Sequence, residues 1–196
     1  ALVFPPTYGM YEVSAEINEV GLIKVPLSSA FQIDSDALEN RLNDETLKLI
    51  FICSPNNPTG NIIENIETVL QKFKGIVIVD EAYIDFSNTV SFISKICQYP
   101  NLIVMQTLSK CWALAAARVG MAYADERIIS LFDKIKPPYN VSELNQRVAI
   151  RDIENIKEFE KNKIIILEQK IKLKKQLSSI AVIKKIYPSD ANFLLV

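Results

Sequence analysis

The sequence predicts an α/β fold with a mostly parallel β-sheet, and two observations indicate this class. Short runs rich in Val, Ile and Leu alternate with longer amphipathic runs along the chain, which is the element order of a parallel sheet covered by helices. The short runs are apolar nearly throughout, as strands covered on both faces are. The 196 residues, 49% of them hydrophobic, suffice for one domain with a sizeable core and part of a second.

The predicted elements follow from these runs and from the residues that bound them. Most of the apolar runs end at Pro, Gly, Asn or Asp, which predicts strands at 22–27, 47–53, 75–79, 102–106 and 119–123. Amphipathic runs predict helices at 64–74, 90–98, 126–136 and 141–150, the third of which is stopped by Pro137 and Pro138.

The character of the chain changes after residue 150. Lys and Glu dominate one set of positions between 151 and 177, and Ile, Leu and Phe form an apolar stripe, which predicts a long solvated helix. Strands are predicted at 181–186 and 192–196. We therefore expect a large domain at 1–150, and at 151–196 a connecting helix with part of a smaller domain.

The composition argues against several classes of protein. A formal net charge of −1 favours neither nucleic acid nor an anionic membrane as partner, and no apolar run reaches the roughly 18 residues of a membrane helix. The chain has no histidine, which removes Ser-His-Asp and Cys-His catalysis and most zinc sites within it, so no metal is predicted. Three cysteines without a C-x-x-C pair indicate a reduced, cytoplasmic compartment.

Polar segments that can carry chemistry follow three of the predicted strands. Ligands of open α/β sheets bind beyond the carboxyl ends of the strands, so these segments are predicted to meet at one edge of the sheet. By composition alone the segment 55–60 is simply a turn, although its asparagine amides could orient a ligand oxygen. The segments are Pro55-Asn56-Asn57-Pro58-Thr59-Gly60, Asp80-Glu81-Ala82-Tyr83 and Thr107-Leu108-Ser109-Lys110.

Asp80 follows four apolar residues, so its carboxylate is predicted to be partly buried and to need a partner. It could cap a helix, or it could be the counter-charge of a cationic ligand. A third alternative is the Mg²⁺-binding strand of a nucleotide hydrolase, which requires a G-x-x-x-x-G-K-[ST] loop. None of the five glycines is followed by lysine, so the chain lacks that loop.

Lys110 could be a solvated surface group, as most lysines are, or the reactive amine of the site. In a partly dry cleft the pKa of a lysine falls and its amine becomes a nucleophile. Arg118 precedes the next predicted strand and could hold a phosphate by a bidentate contact. Thr107 and Ser109 could supply neutral donors to the same phosphate.

In order and approximate spacing, the three segments with Arg118 resemble the fold-type-I pyridoxal-phosphate enzymes. A narrower similarity to the aminotransferases of this group runs from the first residue to the last, and is carried by Pro5-Pro6-Thr7-Tyr8-Gly9-Met10-Tyr11, 80–86 and 191–196. The resemblance implies a three-layer αβα sandwich with a mostly parallel mixed sheet, followed by the start of a small α+β C-terminal domain. It also implies pyridoxal 5′-phosphate as the cofactor.

The resemblance assigns a role to each matching residue. Lys110 would bind the cofactor covalently and serve as acid and base in the proton transfer. Asp80 would pair with the protonated pyridine nitrogen. The other implied contacts are stacking of Tyr8 on the ring, hydrogen bonds from Asn57 and Tyr83 to its phenolic oxygen, and phosphate contacts from Thr107, Ser109 and Arg118.

The implied reaction is amino transfer between L-histidinol phosphate and 2-oxoglutarate, giving imidazole-acetol phosphate and L-glutamate in histidine biosynthesis. A homodimer is implied for the full-length enzyme. The alternatives are another fold-type-I aminotransferase, a related phospho-amino-acid decarboxylase and a non-catalytic relative. Intact Lys110 and Asp80 argue against the last, and a nucleotide hydrolase is a more distant alternative.

The chain departs from the family pattern in two respects. Ala116 stands where the family usually has glycine, and its methyl group could be harmless or could crowd the phosphate loop. The sequence lacks an initiator Met and ends in an apolar run, so we expect a fragment cut at both ends. A phosphate-contacting loop and a substrate-binding arginine of the family would then lie outside it, and we expect little or no aminotransferase activity from this chain alone.

Overall fold

The computed structural model describes residues 1–196, which form one six-stranded sheet flanked by helices. The strands are β1 (Leu2–Val3), β2 (Ile23–Lys24), β3 (Leu49–Cys53), β4 (Ile76–Asp80), β5 (Leu102–Thr107) and β6 (Gly120–Ala124). Their order across the sheet is β2-β1-β3-β4-β5-β6. Every neighbouring pair is parallel except β5 and β6, which are antiparallel. The predicted fold class, a mostly parallel mixed sheet, is confirmed.

Six α-helices connect and follow the strands. They are α1 (Met10–Ile17), α2 (Ser35–Leu42), α3 (Ile66–Lys72), α4 (Glu126–Ile135), α5 (Glu143–Glu154) and α6 (Ile156–Leu177). Short 3₁₀ turns occur at Ile84–Phe86, Phe92–Lys95 and Ala115–Ala117. None of the helices combines the length and the apolar composition that crossing a lipid bilayer requires.

The sheet is covered on both faces because successive side chains of its central strands point to opposite sides. On one side lie Ile50, Ile52, Val77, Val79, Leu102 and Val104, none more than 1% exposed, and they pack against α3. Burying each such side chain contributes about 1.5–3 kcal/mol. On the other side Cys53 and Phe51 pack against Tyr11 of α1. These two cores hold the sheet between its helix layers.

The helix predicted at 90–98 is wrong, because only the 3₁₀ turn Phe92–Lys95 forms there. Its start is held by tertiary hydrogen bonds: the carboxylate of Glu81 accepts from the Ser91 hydroxyl at 2.5 Å and from the Phe92 N–H at 2.7 Å. These contacts direct the backbone into a loop over the end of β4. The amphipathic pattern of the segment could not reveal that competition.

The region after residue 150 also differs from the prediction. The long helix is present but is interrupted at Asn155, where α5 gives way to α6. No strands form at 181–186 or 192–196, since residues 181–196 have a single backbone hydrogen bond among themselves, from Tyr187 N–H to the Leu195 carbonyl at 2.9 Å. A strand needs a ladder of such bonds. The division into domains at 1–150 and 151–196 stays a prediction.

The topology brings distant residues to one edge of the sheet. In the parallel register Cys53 lies beside Asp80, and Asp80 lies beside Met105. Strand β6 runs the opposite way, so its first residue, Gly120, pairs with Thr107 at the end of β5. The segment before β6 therefore reaches the same edge as the carboxyl ends of β3, β4 and β5.

Candidate active site

A pocket of about 470 Å³ opens at this edge of the sheet. All eight residues that the sequence predicts for the cofactor site line it: Tyr8, Asn57, Asp80, Tyr83, Thr107, Ser109, Lys110 and Arg118. The structure therefore brings the complete predicted set together, while the role of each residue stays a prediction.

Asp80 ends β4 and is only 9% exposed, which confirms the expected burial. Its Oδ2 atom accepts a hydrogen bond from the Tyr11 hydroxyl at 2.7 Å, and Oδ1 accepts from the Ala82 backbone N–H at 3.1 Å. Burial raises the pKa of Asp80, and the Tyr11 hydroxyl, the Ala82 N–H and the charge of Lys110 oppose that rise. No α-helix begins at Asp80, so the helix-capping alternative is wrong.

The two adjacent asparagines of the turn after β3 do different things. Asn56 is 1% exposed and holds the turn together, donating to the Pro6 carbonyl at 2.9 Å and to the Thr59 hydroxyl at 2.7 Å. Asn57 faces the pocket, where its amide donates to the hydroxyl of Tyr83 at 3.3 Å. Asn57 and Tyr83 thus form one polar pair on the pocket wall.

Lys110 lies in the turn that follows β5 and lines the same pocket. Its Nζ atom is 5.3 Å from the centroid of the Tyr83 ring, within the range of a cation–π contact. The side chain is exposed, so Lys110 has the solvent access of a surface lysine while it also lines the pocket.

Hydroxyl groups and a guanidinium form the side of the pocket nearest β6. Thr107 donates to the Val119 carbonyl at 3.3 Å and accepts from the Ser109 backbone N–H at 3.1 Å, which ties the two ends of this segment together. Arg118 is exposed and donates one hydrogen bond to the Ala115 carbonyl at 3.1 Å. Its remaining N–H donors are available to an anion.

Ala116 lies exposed in the 3₁₀ turn before Arg118 and is absent from the pocket lining. Of the two readings of this departure from the family pattern, the geometry therefore favours the harmless one.

Tyr8 stands just before α1 and lines the pocket. Its ring is 42% exposed and meets the ring of Tyr11 edge-on, with centroids 5.6 Å apart and planes at 85°. An aromatic face is therefore open to a flat ligand in the pocket.

Sequence reasoning missed several residues of the site. Tyr11 donates to Asp80 from α1, and its position one helical turn after Tyr8 was a usable signal. Cys53 lines the pocket beside Asp80, and burial with the nearby Asp80 charge raises the pKa of its thiol to about 12. The other lining residues that were not predicted are Ala82, Met105, Gln106, Gly120, Met121 and Ala122. Five of them are small or apolar and carry no signal of their own, while Gln106 is polar and donates to Glu81 at 2.9 Å.

The donor set of the pocket fits pyridoxal phosphate. A buried carboxylate suits a cationic ring nitrogen, and the amide–hydroxyl pair suits a phenolic oxygen. Hydroxyls and a guanidinium suit a phosphate, and the amine of Lys110 suits an aldehyde. Together the fold and this set of groups match those of the fold-type-I pyridoxal-phosphate family.

Comparison with protein families gives the same answer. The model of the family "Aminotransferase class I and II" matches residues 1–196. The chain belongs to this family, whose members depend on pyridoxal phosphate.

Two curated relatives carry one particular name, histidinol-phosphate aminotransferase. The protein of Cytophaga hutchinsonii is 49% identical over 197 aligned residues, which cover 100% of this chain and 56% of the relative. The protein of Flavobacterium johnsoniae is 46% identical, with coverages of 97% and 55%. The chain therefore spans about half the length of the curated relatives it matches.

The fold also resembles solved structures of proteins with this name. The histidinol-phosphate aminotransferase of Clostridium acetobutylicum matches with a TM-score of 0.90 and 25% identity, covering 98% of this chain and 60% of that one. The enzyme of Sinorhizobium meliloti, solved in complex with pyridoxal-5′-phosphate, matches with a TM-score of 0.88 and coverages of 99% and 54%. Its identity is 21%, so this second match supports the fold alone.

Proposed function

We propose that this chain carries the cofactor site of a histidinol-phosphate aminotransferase, which transfers an amino group between L-histidinol phosphate and 2-oxoglutarate. The observation that carries the proposal is the pocket, in which a lysine, a buried aspartate, an asparagine–tyrosine pair and an anion-binding set meet. The names of the relatives at 46–49% identity support the substrate.

The residues of the pocket divide the work by their chemistry. Pyridoxal phosphate, when bound, would supply a ring that accepts electron density and an aldehyde that takes up the amino group from one substrate and passes it to the other. Lys110 holds the cofactor and moves a proton at the amino-bearing carbon of the substrate. Asp80 keeps a proton on the pyridine nitrogen, and Asn57 with Tyr83 orients the phenolic oxygen. Thr107, Ser109 and Arg118 hold the phosphate.

Titration with pyridoxal phosphate tests the central residue of this proposal. We expect the chain to develop a near-visible absorption band and the Lys110→Ala variant to lose it, because alanine has no amine to bond to the aldehyde. Lys172→Ala, which removes an exposed lysine of α6, is the matched control and should keep the band. A band of equal intensity in Lys110→Ala would sink the assignment.

The substrate is tested on a chain extended to the full length of its relatives. Glutamate should form from 2-oxoglutarate with L-histidinol phosphate as amino donor, and far more slowly with unphosphorylated L-histidinol. Release of carbon dioxide from a phosphorylated amino acid instead would assign the pocket to a decarboxylase.

Two further properties belong to the proposal. We place the enzyme in the cytoplasm, which the three unpaired cysteines support. We also propose that the full-length enzyme is a homodimer, which size-exclusion chromatography with light scattering would test.

A further inference from the structure

Tyr11 is the one side chain that donates a hydrogen bond to the Asp80 carboxylate. The bond joins α1 to the end of β4 across 69 residues of sequence, at 2.7 Å, and is buried. Tyr11 itself is 7% exposed. A hydrogen bond of this kind to a charged group is about twice as strong as one between neutral groups, so it can govern the state of the carboxylate.

The position of the Tyr11 hydroxyl is fixed by the packing of its ring. The ring stacks on Phe51 of β3 with centroids 5.1 Å apart and planes at 24°. Its other aromatic contact is the edge-on one with Tyr8. A side chain held on two sides loses little further freedom when it donates. Tyr11 therefore connects the rings of Tyr8 and Phe51 to the carboxylate of Asp80.

Asp80 has few other groups that could keep it charged. Cys53 of β3 lies beside it, but burial holds that thiol in its neutral form. Lys110, from the turn after β5, lowers the pKa of Asp80 by its charge, and this is the weakest of the four influences on that pKa. Burial is the strongest influence and acts in the opposite direction, and the Tyr11 hydroxyl is the largest one that resists it. The other ionisable groups lining the pocket are Tyr8, Tyr83 and Arg118.

We propose that Tyr11 is the positioning residue of the site, whose hydroxyl holds the Asp80 carboxylate ionised and in one orientation. This inference rests on the proposed function, in which Asp80 receives the protonated pyridine nitrogen. Oδ2 is occupied by Tyr11 and Oδ1 by the Ala82 N–H. Each carboxylate oxygen has a second lone pair, so the carboxylate can still accept from the cofactor.

The first measurement needs no cofactor. Tyr11→Phe keeps the ring and its stacking and removes only the hydroxyl. We expect the pKa of Asp80 to be higher in Tyr11→Phe than in the parent chain. The titration is measured on the carboxyl-carbon NMR signal of Asp80, which is assigned by its disappearance in Asp80→Asn. Tyr99→Phe is the matched control, because Tyr99 is also buried and donates to a different carboxylate, Glu67, at 2.8 Å.

The second measurement is the affinity for pyridoxal phosphate between about pH 5 and pH 9. Tyr11→Phe should bind about tenfold more weakly at the acid end, and the loss should shrink as the pH rises and Asp80 ionises without help. Tyr99→Phe should follow the parent chain. A purely structural role for Tyr11 would instead weaken binding equally at every pH.

The outcomes separate this inference from the proposed function. If Lys110→Ala and Asp80→Asn impair cofactor binding while Tyr11→Phe changes neither the Asp80 titration nor the pH profile, the role of Tyr11 is refuted and the function stands. If neither Lys110→Ala nor Asp80→Asn impairs binding, the proposed function fails. A raised Asp80 pKa in Tyr11→Phe would then still establish that the hydroxyl controls the carboxylate.

Discussion

Two residues flanking the exposed turn between Lys110 and β6 have left-handed backbone conformations. Ala113 has φ of 56° and Arg118 has φ of 52°. A residue with a Cβ atom is disfavoured in this region by roughly 1–2 kcal/mol, so strain is concentrated beside the proposed phosphate contacts. At Ala113 the side chain is exposed and the strain can be removed without touching the pocket.

Ala113→Gly is expected to stabilise the folded chain by about 1 kcal/mol, because glycine adopts positive φ without the steric cost. Urea unfolding measures the change. Ala116→Gly is the control: position 116 lies in the neighbouring 3₁₀ turn without a positive φ, so glycine there should cost about 0.5–1 kcal/mol. Equal effects of both substitutions would contradict the assignment of strain to Ala113.

At the scale of residues, the sequence was sufficient where a chemical group is unusual in its context. Asp80 after four apolar residues and Lys110 after a buried strand could be singled out from the sequence alone, and both line the pocket. The burial of Asp80 was expected, but its partner was not, because Tyr11 reaches it from 69 residues away. The sequence left open whether Lys110 is solvated or lies in a partly dry cleft, because its exposure depends on the arrangement of the sheet edge.

Among the elements, Glu81 organises the loop that replaces the predicted helix at 90–98. Its side chain is 2% exposed and accepts hydrogen bonds from the Ser91 hydroxyl, the Phe92 N–H and the Gln106 amide. Three donors surround this carboxylate, so its negative charge is compensated within the protein. The loop from 87 to 95 is thereby joined to β5.

Glu81→Gln should destabilise the chain by about 1–3 kcal/mol, because the amide turns one acceptor into a donor that faces other donors. Thermal or urea unfolding measures this loss. Glu45→Gln makes the same chemical change on an exposed side chain and should stay within about 0.5 kcal/mol of the parent. If the two substitutions cost the same, the Glu81 network does not stabilise the loop.

The elements differ in how much local signal they carry. Strands β3, β4 and β5 are continuous apolar runs, and their predicted positions agree with the structure within two residues at each end. Helix α2 was missed although Asp34 caps it, accepting from the N–H groups of Asp36 and Ala37. Helix α1 has no side-chain cap, and its formation depends on tertiary packing of Tyr11 and Ala15.

At the scale of the whole molecule, Asp80 makes stability depend on pH. Its pKa is raised in the folded chain, so the folded chain binds that proton more tightly than the unfolded chain does. Between the ordinary pKa of aspartate and the raised pKa of Asp80, stability therefore falls as the pH rises. Above this window the buried charge lowers the free energy of unfolding by a constant amount.

Asp80→Asn is expected to raise the free energy of unfolding of the cofactor-free chain at about pH 7 by on the order of 1 kcal/mol, since asparagine carries no charge to bury. The gain should disappear as the pH falls below the ordinary pKa of aspartate. Urea unfolding at several pH values measures it, with Asp36→Asn as an exposed control. A loss of stability at neutral pH would show that the carboxylate stabilises the fold. A gain would identify Asp80 as a residue retained for binding at a cost in stability.

The pocket is assembled from segments scattered along more than half of the sequence, from Tyr8 to Ala122. No two neighbouring strands suffice to form it, because its residues come from the ends of β3, β4 and β5, the start of β6 and the chain before α1. Bringing these distant segments together costs conformational entropy, and only the complete sheet offsets this cost. A nascent or partly unfolded chain therefore has no complete binding site. Binding of the cofactor consequently reports whether the whole sheet has folded.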